Sequence, residues 1–389
     1  MKRLAIITTH PIQYNAPLFK LLTERGNIHL KVFYTWSQSK DGLLFDPGFG
    51  ISRQWDIPLL EGYEYEFIDN QSKDPGSHHF WGILNKQLIN KIKDFKPDAI
   101  LVYGWAFYSH LKTIFSLGKK ARILFRGDST LLDNDQFSWI KRGIKKIFLS
   151  IIFSRIDKAL YVGSANKAYF KYYGLEERKL LFAPHAIDND RFSFNSESHE
   201  QAAKEWRKKL GIPEENFVFL YAGKLESKKA PDLLIKAFLS LDEENMDLVI
   251  CGNGELENNL KQLASEHTNI HFLPFQNQNQ MPVVYRVGDV FVLPSRGPGE
   301  TWGLAVNEAM ACGRPVIVSN RCGCSQDLVE HNVNGYIFES DSLLSLTHCM
   351  KNILESDSML EMREANSIKI QEFSYDAVCN SIEKTISTN

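Results

Sequence analysis

The stretch Ser295-Arg-Gly-Pro-Gly-Glu300-Thr-Trp-Gly-Leu-Ala-Val-Asn-Glu308-Ala-Met-Ala-Cys-Gly313-Arg-Pro315-Val-Ile-Val-Ser319 decides the fold. It follows Val290–Pro294, an apolar run of the kind found in a parallel strand covered on both faces. Gly297 and Gly299 let the backbone turn and come close to a ligand. A helix is expected from near Trp302 or Gly303 to Gly313, with Pro315 just beyond its end. Pro315–Ser319 then reads as the next strand. Strand, glycine-rich loop, helix and strand in succession argue for a doubly wound α/β domain. Such a loop points unpaired N–H groups and a positive dipole end at whatever sits there, an anion site suited to a diphosphate. Glu300 lies in the loop and Glu308 on the helix, spaced to accept hydrogen bonds from hydroxyls at opposite ends of an extended ligand. The plain alternative is a solvated carboxylate and a helix-face carboxylate, and the glycines around the pair disfavour it.

The same alternation runs outward in both directions. Upstream in the C-terminal half, Phe217–Ala222, Asp247–Cys251 and Ile270–Leu273 read as strands, and Pro231–Ser240 as a helix with proline in its first turn. In the N-terminal half Leu4–Thr8, His29–Tyr34, Ala99–Tyr103, Arg122–Phe125, Ala159–Val162 and Leu180–Ala183 read as buried strands, with helical patterns such as Ala165–Tyr173 between them. Asp41–Gln54 and Asp69–Ser77 are long loops, which in compact domains are often binding loops. A polar interval from Asn195 to Lys209, followed by Gly211 and Pro213, places a hinge near 195–213. The expected division is 1–200, 201–370 and a terminal segment 371–389.

Composition sets the bounds. At about 150 residues per domain, 389 residues imply two or three domains. A 43% hydrophobic and 24% charged chain suits full-sized cores and water. A formal net charge of -2 gives no global drive toward nucleic acid. Leu4–Ile7 is too short for a leader's apolar core and reads as the first strand. No apolar stretch approaches a membrane span. The six cysteines form no disulfide-like framework, so buried free thiols in a reducing cytoplasm are expected. Cys312, Cys322 and Cys324 lack the second close pair a zinc site needs.

The pair Glu300 and Glu308, with the text around it, resembles the E-x7-E motif of retaining family 4 glycosyltransferases of the GT-B fold, whose two Rossmann-like domains face a central cleft. The resemblance implies that Glu300 meets sugar hydroxyls and Glu308 the ribose, and that Gly303 and Leu304 lie at the nucleotide. Tyr221-Ala-Gly223-Lys224-Leu-Glu-Ser-Lys228-Lys229-Ala-Pro is similar to the family's turn whose basic pair clamps the diphosphate. Carried over, the pair is Lys224 and Lys229, point charges rather than guanidinium forks. Ala230 stands where glycine is common, a departure in the loop. Gly252-Asn-Gly254 resembles a nucleotide-side turn, and equally fits an ordinary one. Phe182–Phe192 is similar to a segment late in the family's N-terminal domain, and Phe373–Ile386 to its tail helix crossing back to that domain. The matches span about residues 159–386; the N-terminal half agrees in pattern only.

In that half, the loop Thr9-His10-Pro11-Ile12-Gln13 follows the first strand. In this fold that loop points into the cleft, so His10 and Gln13 are candidate ligands, and a helix cap is the equal alternative. Arg126-Gly-Asp128 ends another strand where relatives often place a histidine near the anomeric carbon. Arg126 and Asp128 either orient sugars or pair with each other. Asp133-Asn-Asp135 and Asp188-Asn-Asp190 read as metal-binding D-x-D pairs, but cationic Lys224 and Lys229 can replace a metal. His78-His79 reads as a solvated loop without partner spacing. Ile140–Lys158 interleaves Lys141, Arg142, Lys145, Lys146, Arg155 and Lys158 with apolar residues, which fits peripheral contact with an anionic membrane face or an ordinary helix packed on the sheet.

The resulting expectation is a metal-independent retaining glycosyltransferase without cofactor. It takes a nucleoside-diphosphate sugar as donor and a glycan or lipid-linked acceptor, in bacterial surface polysaccharide or lipopolysaccharide assembly. It is cytoplasmic, and peripheral on the membrane if 140–158 docks there. The rivals are a sugar-nucleotide epimerase or phosphorylase on the same scaffold, and a catalytically silent nucleotide-sugar-binding protein.

Overall fold

A computed structural model describes residues 1–37, 44–46, 49, 51–118, 121–132, 134, 138–193, 195–297 and 299–387. The chain forms two compact units: Met1–Leu44, Ile57–Pro184 and Tyr375–Asn389 make unit 1, and Phe45–Asp56 with His185–Ser374 make unit 2.

The strands in chain order are β1 (Lys2–Thr8), β2 (Ile28–Tyr34), β3 (Leu44–Asp46), β4 (Ile51–Arg53), β5 (Glu64–Phe67), β6 (Ala99–Tyr103), β7 (Arg122–Arg126), β8 (Lys158–Tyr161), β9 (Leu180–Phe182), β10 (Phe217–Ala222), β11 (Met246–Cys251), β12 (Ile270–Leu273), β13 (Val290–Leu293), β14 (Val316–Ser319) and β15 (Gly335–Phe338). Unit 1 holds a seven-stranded sheet in the order β5-β2-β1-β6-β7-β8-β9, and unit 2 a six-stranded sheet in the order β12-β11-β10-β13-β14-β15. All the described ladders in both sheets are parallel. Each sheet starts in its middle, winds to one edge, then returns to wind to the other. The strand order therefore reverses between β1 and β6, and again between β10 and β13. Ligands in open α/β sheets sit outside the carboxyl ends of the strands at such a switch point. In unit 1 these ends lead into Thr9–His10 and Gly104; in unit 2 they lead into Gly223–Lys224 and Ser295.

Burial explains the strand sequences. Leu4, Ala5, Ile6 and Ile7 of β1 are wholly buried because helices cover both faces, and the same holds for Val218–Tyr221 of β10. The edge strand β5, Glu-Tyr-Glu-Phe, has no buried residue. After β1, the helix Ala16–Glu24 buries Leu18, Phe19 and Leu22 and exposes its polar side.

The units divide at Pro184/His185, earlier than the boundary expected near 200. The polar interval read as a hinge is the helix Ser196–Leu210, capped by Gly211 in the left-handed region (φ 77°) and lying within unit 2. Its polarity reflects a surface helix in which only Ala203 is buried. The terminal helix Tyr375–Ser387 belongs to unit 1, where Arg25 pairs with Asp376 and, at 3.2 Å, with Glu383. The expected loop Asp41–Gln54 contains the strand pair β3–β4. Its Pro47, Gly48 and Gly50 lie outside the described residues.

A candidate active site at the switch point of unit 2

The basic turn leaves the C-terminal end of β10. The Gly223 N–H donates to the Cys251 carbonyl (3.0 Å), and the Leu225 N–H to the Asn253 carbonyl (3.0 Å). The next turn, Gly252–Gly254, is pressed directly against it. A Cβ at Gly252, which sits at φ +143°, would lie 1.9 Å from the Gly223 carbonyl oxygen; one at Gly254 would lie 2.5 Å from that of Leu225. These glycines are thus required by backbone-on-backbone packing. Tyr221, wholly buried, donates its hydroxyl to the Lys224 carbonyl (2.6 Å) and pins the turn from below. A 3-10 turn, Ser227–Lys229, follows. Ala230 then takes φ 52°, the left-handed region in which a β-carbon costs roughly 1–2 kcal/mol. The departure from glycine therefore leaves the loop geometry intact and stores strain in it.

The loop after β13 meets this turn. Arg296 N–H donates to the Lys228 carbonyl (2.9 Å), and the Arg296 side chain spans to Asp232 (3.2 Å) and Asp341 (2.8 Å). The Lys229 ammonium forms an ion pair with Glu300 Oε2. Ser295 Oγ donates to the same oxygen (3.1 Å). Glu300 is 8% exposed and Ser295 is wholly buried. Burial by itself would lower the Lys229 pKa, but the Glu300 carboxylate outweighs it and holds the ammonium above its ordinary value. The loop is braced from behind by Gly323 N–H to the Glu300 carbonyl (3.1 Å) and Cys324 N–H to the Trp302 carbonyl (3.1 Å). All six cysteines are free and buried.

Gly303, at φ 105°, caps the helix Leu304–Ala311 without any side-chain cap, so its N-terminal amides point out of the loop. Glu308 is 3% exposed in the second turn, and the Tyr285 hydroxyl donates to its Oε2 (2.6 Å). Asn307 beside it links Trp302 Nε1 (2.8 Å) to the His185 carbonyl (3.1 Å). Ser295, Tyr285 and Asn307 are supports that the sequence did not single out. Tyr285 comes from the helix Met281–Val287, and no local pattern marks it. The β3–β4 arm adds another. Phe49 stands edge-on to Phe275 (4.9 Å), with the Lys224 ammonium 5.1 Å from its ring centre.

The candidates on unit 1 divide differently. Arg126, buried at 6% exposure, donates to the carbonyls of Ala183 (2.7 Å) and Pro184 (2.8 Å). Its guanidinium thus holds the chain just after β9. Asp128, two residues on, contributes a weaker favourable field. His10 is half-buried edge-on to Trp36 (5.4 Å), and burial lowers its pKa to about 4. Gln13 lies half-buried in the turn that follows. His78 and His79 do have a partner: both Nε2 atoms lie 3.2 Å from Asp74. This exposed trio is the one group with metal-ligand proximity among the described residues. Asp133 and Asp135 lie outside the described residues. Asp188 Oδ1 accepts the Arg191 N–H (3.1 Å), a local helix-cap bond.

Residues 202–370, which carry this site, match the family model of glycosyl transferases group 1. The two doubly wound sheets are those of the GT-B fold. A glycosyltransferase from Rickettsia africae shares it with a TM-score of 0.75 at 16% identity, over 100% of this chain and 99% of that one. Anabaena Alr3699/HepE, in complex with UDP and glucose, shares it with a TM-score of 0.72 at 18% identity over 100% of both. Among curated relatives, D-inositol 3-phosphate glycosyltransferase of Salinispora arenicola is 29% identical over 161 residues. That match spans 38% of this chain and only 36% of the relative's length.

Proposed function

We propose that the protein is a metal-independent, retaining glycosyltransferase moving a sugar from a nucleoside-diphosphate sugar to a glycan or lipid-linked acceptor in bacterial surface polysaccharide or lipopolysaccharide assembly. The buried Lys229–Glu300 ion pair, at a glycine loop that opens a helix, carries this reading. An ammonium has three N–H donors. Lys229 can keep Glu300 and still present N–H groups to a diphosphate. Lys224 and the amides at Gly303–Leu304 add positive potential, so charge developing on the departing diphosphate is neutralised without a metal. Glu300 spends one oxygen on Lys229 and Ser295. Its remaining lone pairs suit hydroxyls of the transferred sugar. Glu308, oriented by Tyr285, suits the ribose. Retention follows from the family resemblance, with the acceptor attacking on the face the diphosphate leaves. UDP is the first diphosphate to test, since Anabaena HepE, which shares the fold, is in complex with UDP.

The test is calorimetric titration with UDP and other nucleoside diphosphates, alongside donor turnover in excess chelator. Lys229→Ala is expected to weaken the binding diphosphate by about one to two decades, the worth of a charge-assisted hydrogen bond at roughly 1.5–3 kcal/mol. Lys224→Ala, which leaves Glu300 paired, separates lost binding from lost stability. Unchanged affinity in both variants sinks the diphosphate clamp. Activity lost in EDTA and restored by Mn²⁺ sinks metal independence.

A further inference from the structure

The helix Trp139–Phe153 of unit 1 has two apolar faces. Leu149, Ile152 and Phe153 are buried, with the Phe153 ring centre 5.8 Å from Phe125 and 5.6 Å from Phe170. The other face is Ile140, Ile144, Ile147 and Ile151, exposed by 53, 65, 67 and 51%. Their spacing is i, i+4, i+7, i+11, one continuous stripe. At about 100° per residue, that stripe is centred roughly 160° round the helix from the buried one. Trp139 at the start of the helix is 76% exposed, and Phe148 at the stripe's edge is 42% exposed.

Packing on a sheet needs only one apolar face. A second, contiguous one in water marks an interaction surface. The charges say which kind. The helix carries Lys141, Arg142, Lys145 and Lys146 and no acidic residue. Lys146 reaches sideways over the Tyr172 ring (4.7 Å), and Lys145 over Tyr169 and Tyr173 (5.5 Å each). At the same spacing the stripe itself carries no charge: Lys141 lies about 90° round from its centre, Lys145 and Lys146 about 130° to either side, and Arg142 behind it. A second copy of this helix would bring four more cations and no acid to meet them. Fifteen residues at about 1.5 Å each reach roughly 22 Å, short of the ~30 Å bilayer core. Among the described residues, no helix is long and apolar enough to cross a membrane.

We infer that this face docks on an anionic bilayer. The helix lies in the plane of the interface, with its isoleucines among the upper acyl chains, its lysines at acidic headgroups, and Trp139 at headgroup level. The inference is independent of the transfer reaction and is measured without nucleotide.

The test is flotation of the full chain with vesicles of phosphatidylcholine alone and of phosphatidylcholine containing phosphatidylglycerol. The protein is expected to float with the anionic vesicles and to be released by high salt, which shortens the screening length. Each exposed isoleucine that leaves water is worth roughly tenfold in partitioning, so Ile144→Ser/Ile147→Ser should lose about a hundredfold. Lys141→Gln and Lys146→Gln should cost about fivefold each. Trp139 emission should shift to the blue with anionic vesicles, a shift missing in Trp139→Phe. These isoleucines make no core contact, so the serine variant should melt as the wild type does. The inference is overturned by no flotation, by flotation that the serine variant retains, or by equal flotation with neutral vesicles. A wild-type dimer that the serine variant turns into a monomer, without vesicle binding, would assign the face to a second copy instead.

Discussion

Unit 1 and unit 2 wind their sheets the same way and so present the same pair of loops at the switch point, but they fill them with opposite chemistry. In unit 1 burial disfavours the charged form of His10 and His110, and Arg126 is bonded to backbone. Burial lowers His10 to about 4, and its Nδ1 is buried with no hydrogen-bond partner among the described residues. His110 is lowered to about 4 by complete burial, although the Tyr103 carbonyl accepts from it. Arg126 is consumed by two backbone carbonyls. In unit 2 Lys229, though largely buried, is held charged by Glu300. Strand order therefore decides where a ligand can sit, and the side chains at that place decide what it can be. The ionic loop of unit 2 suits a diphosphate.

The largest expected effect is the one that would break this contrast from the unit 2 side. Glu300→Gln keeps the shape and removes the charge. An interaction that strengthens in the transition state appears in kcat, so turnover should fall by about 10²–10³-fold. Affinity for the free nucleoside diphosphate should hold or tighten, because Lys229 is released from its partner. Glu308→Gln should do the reverse and weaken the diphosphate itself, since the ribose is present in donor and product alike. Kinetics beside calorimetry separate the two, after circular dichroism has shown both variants folded. A reversed pattern exchanges the two assignments. Two variants indistinguishable from the wild type would leave the pair purely structural.

From the unit 1 side, Arg126→Met should lower stability by about 3 kcal/mol or more, because two charge-assisted bonds of roughly 1.5–3 kcal/mol each disappear from a buried site. Diphosphate affinity below the melting transition should not change. If the variant is as stable as the wild type but slow in turnover, Arg126 acts on the sugars instead and the contrast between the units weakens.

A smaller effect sharpens the comparison through pH. The His10 pKa is 6.5 for the ordinary side chain and about 4 in the folded protein. On acidification the unfolded chain takes up this proton first, so the stability contributed above pH 6.5 is lost between about 6.5 and 4. His10→Gln should remove roughly 3 kcal/mol of that acid-induced loss, seen as a flatter dependence of melting temperature on pH. An unchanged slope would mean that His10 keeps its ordinary pKa in the folded protein, and would remove its part in the contrast with unit 2.

The winding of both sheets was legible in the chain. Leu4–Thr8, Ala99–Tyr103 and Phe217–Ala222 are central strands buried on both faces, and their composition has no other explanation. The strands not recognised were mostly at edges: β5, with glutamates alternating along it, and β15, a short Gly-Tyr-Ile-Phe run. An edge strand needs neither two apolar faces nor length, so its sequence carries little signal. The helix after Glu300 was placed to within a residue of its cap, because Gly303 and Gly313 bracket it. The unit boundary was missed because a polar surface helix, Ser196–Leu210, has the composition of a linker.

By itself, then, the sequence determined the two α/β units, the glycine loop and the residues gathered around it, since periodicity and turn chemistry are local properties of the chain. What only the tertiary structure decided was each side chain's partner. Lys229 meets Glu300 across seventy positions of sequence, Tyr285 reaches Glu308 from another helix, and Arg126 donates to the backbone after β9. The exposure of whole helices was decided in the same way. Ser196–Leu210 became an ordinary surface helix, while Trp139–Phe153 kept a second apolar stripe in water. The physical reason is one and the same: the charge state, satisfaction and exposure of a side chain depend on what folds against it, and sequence spacing does not hold that information beyond a few turns of one element.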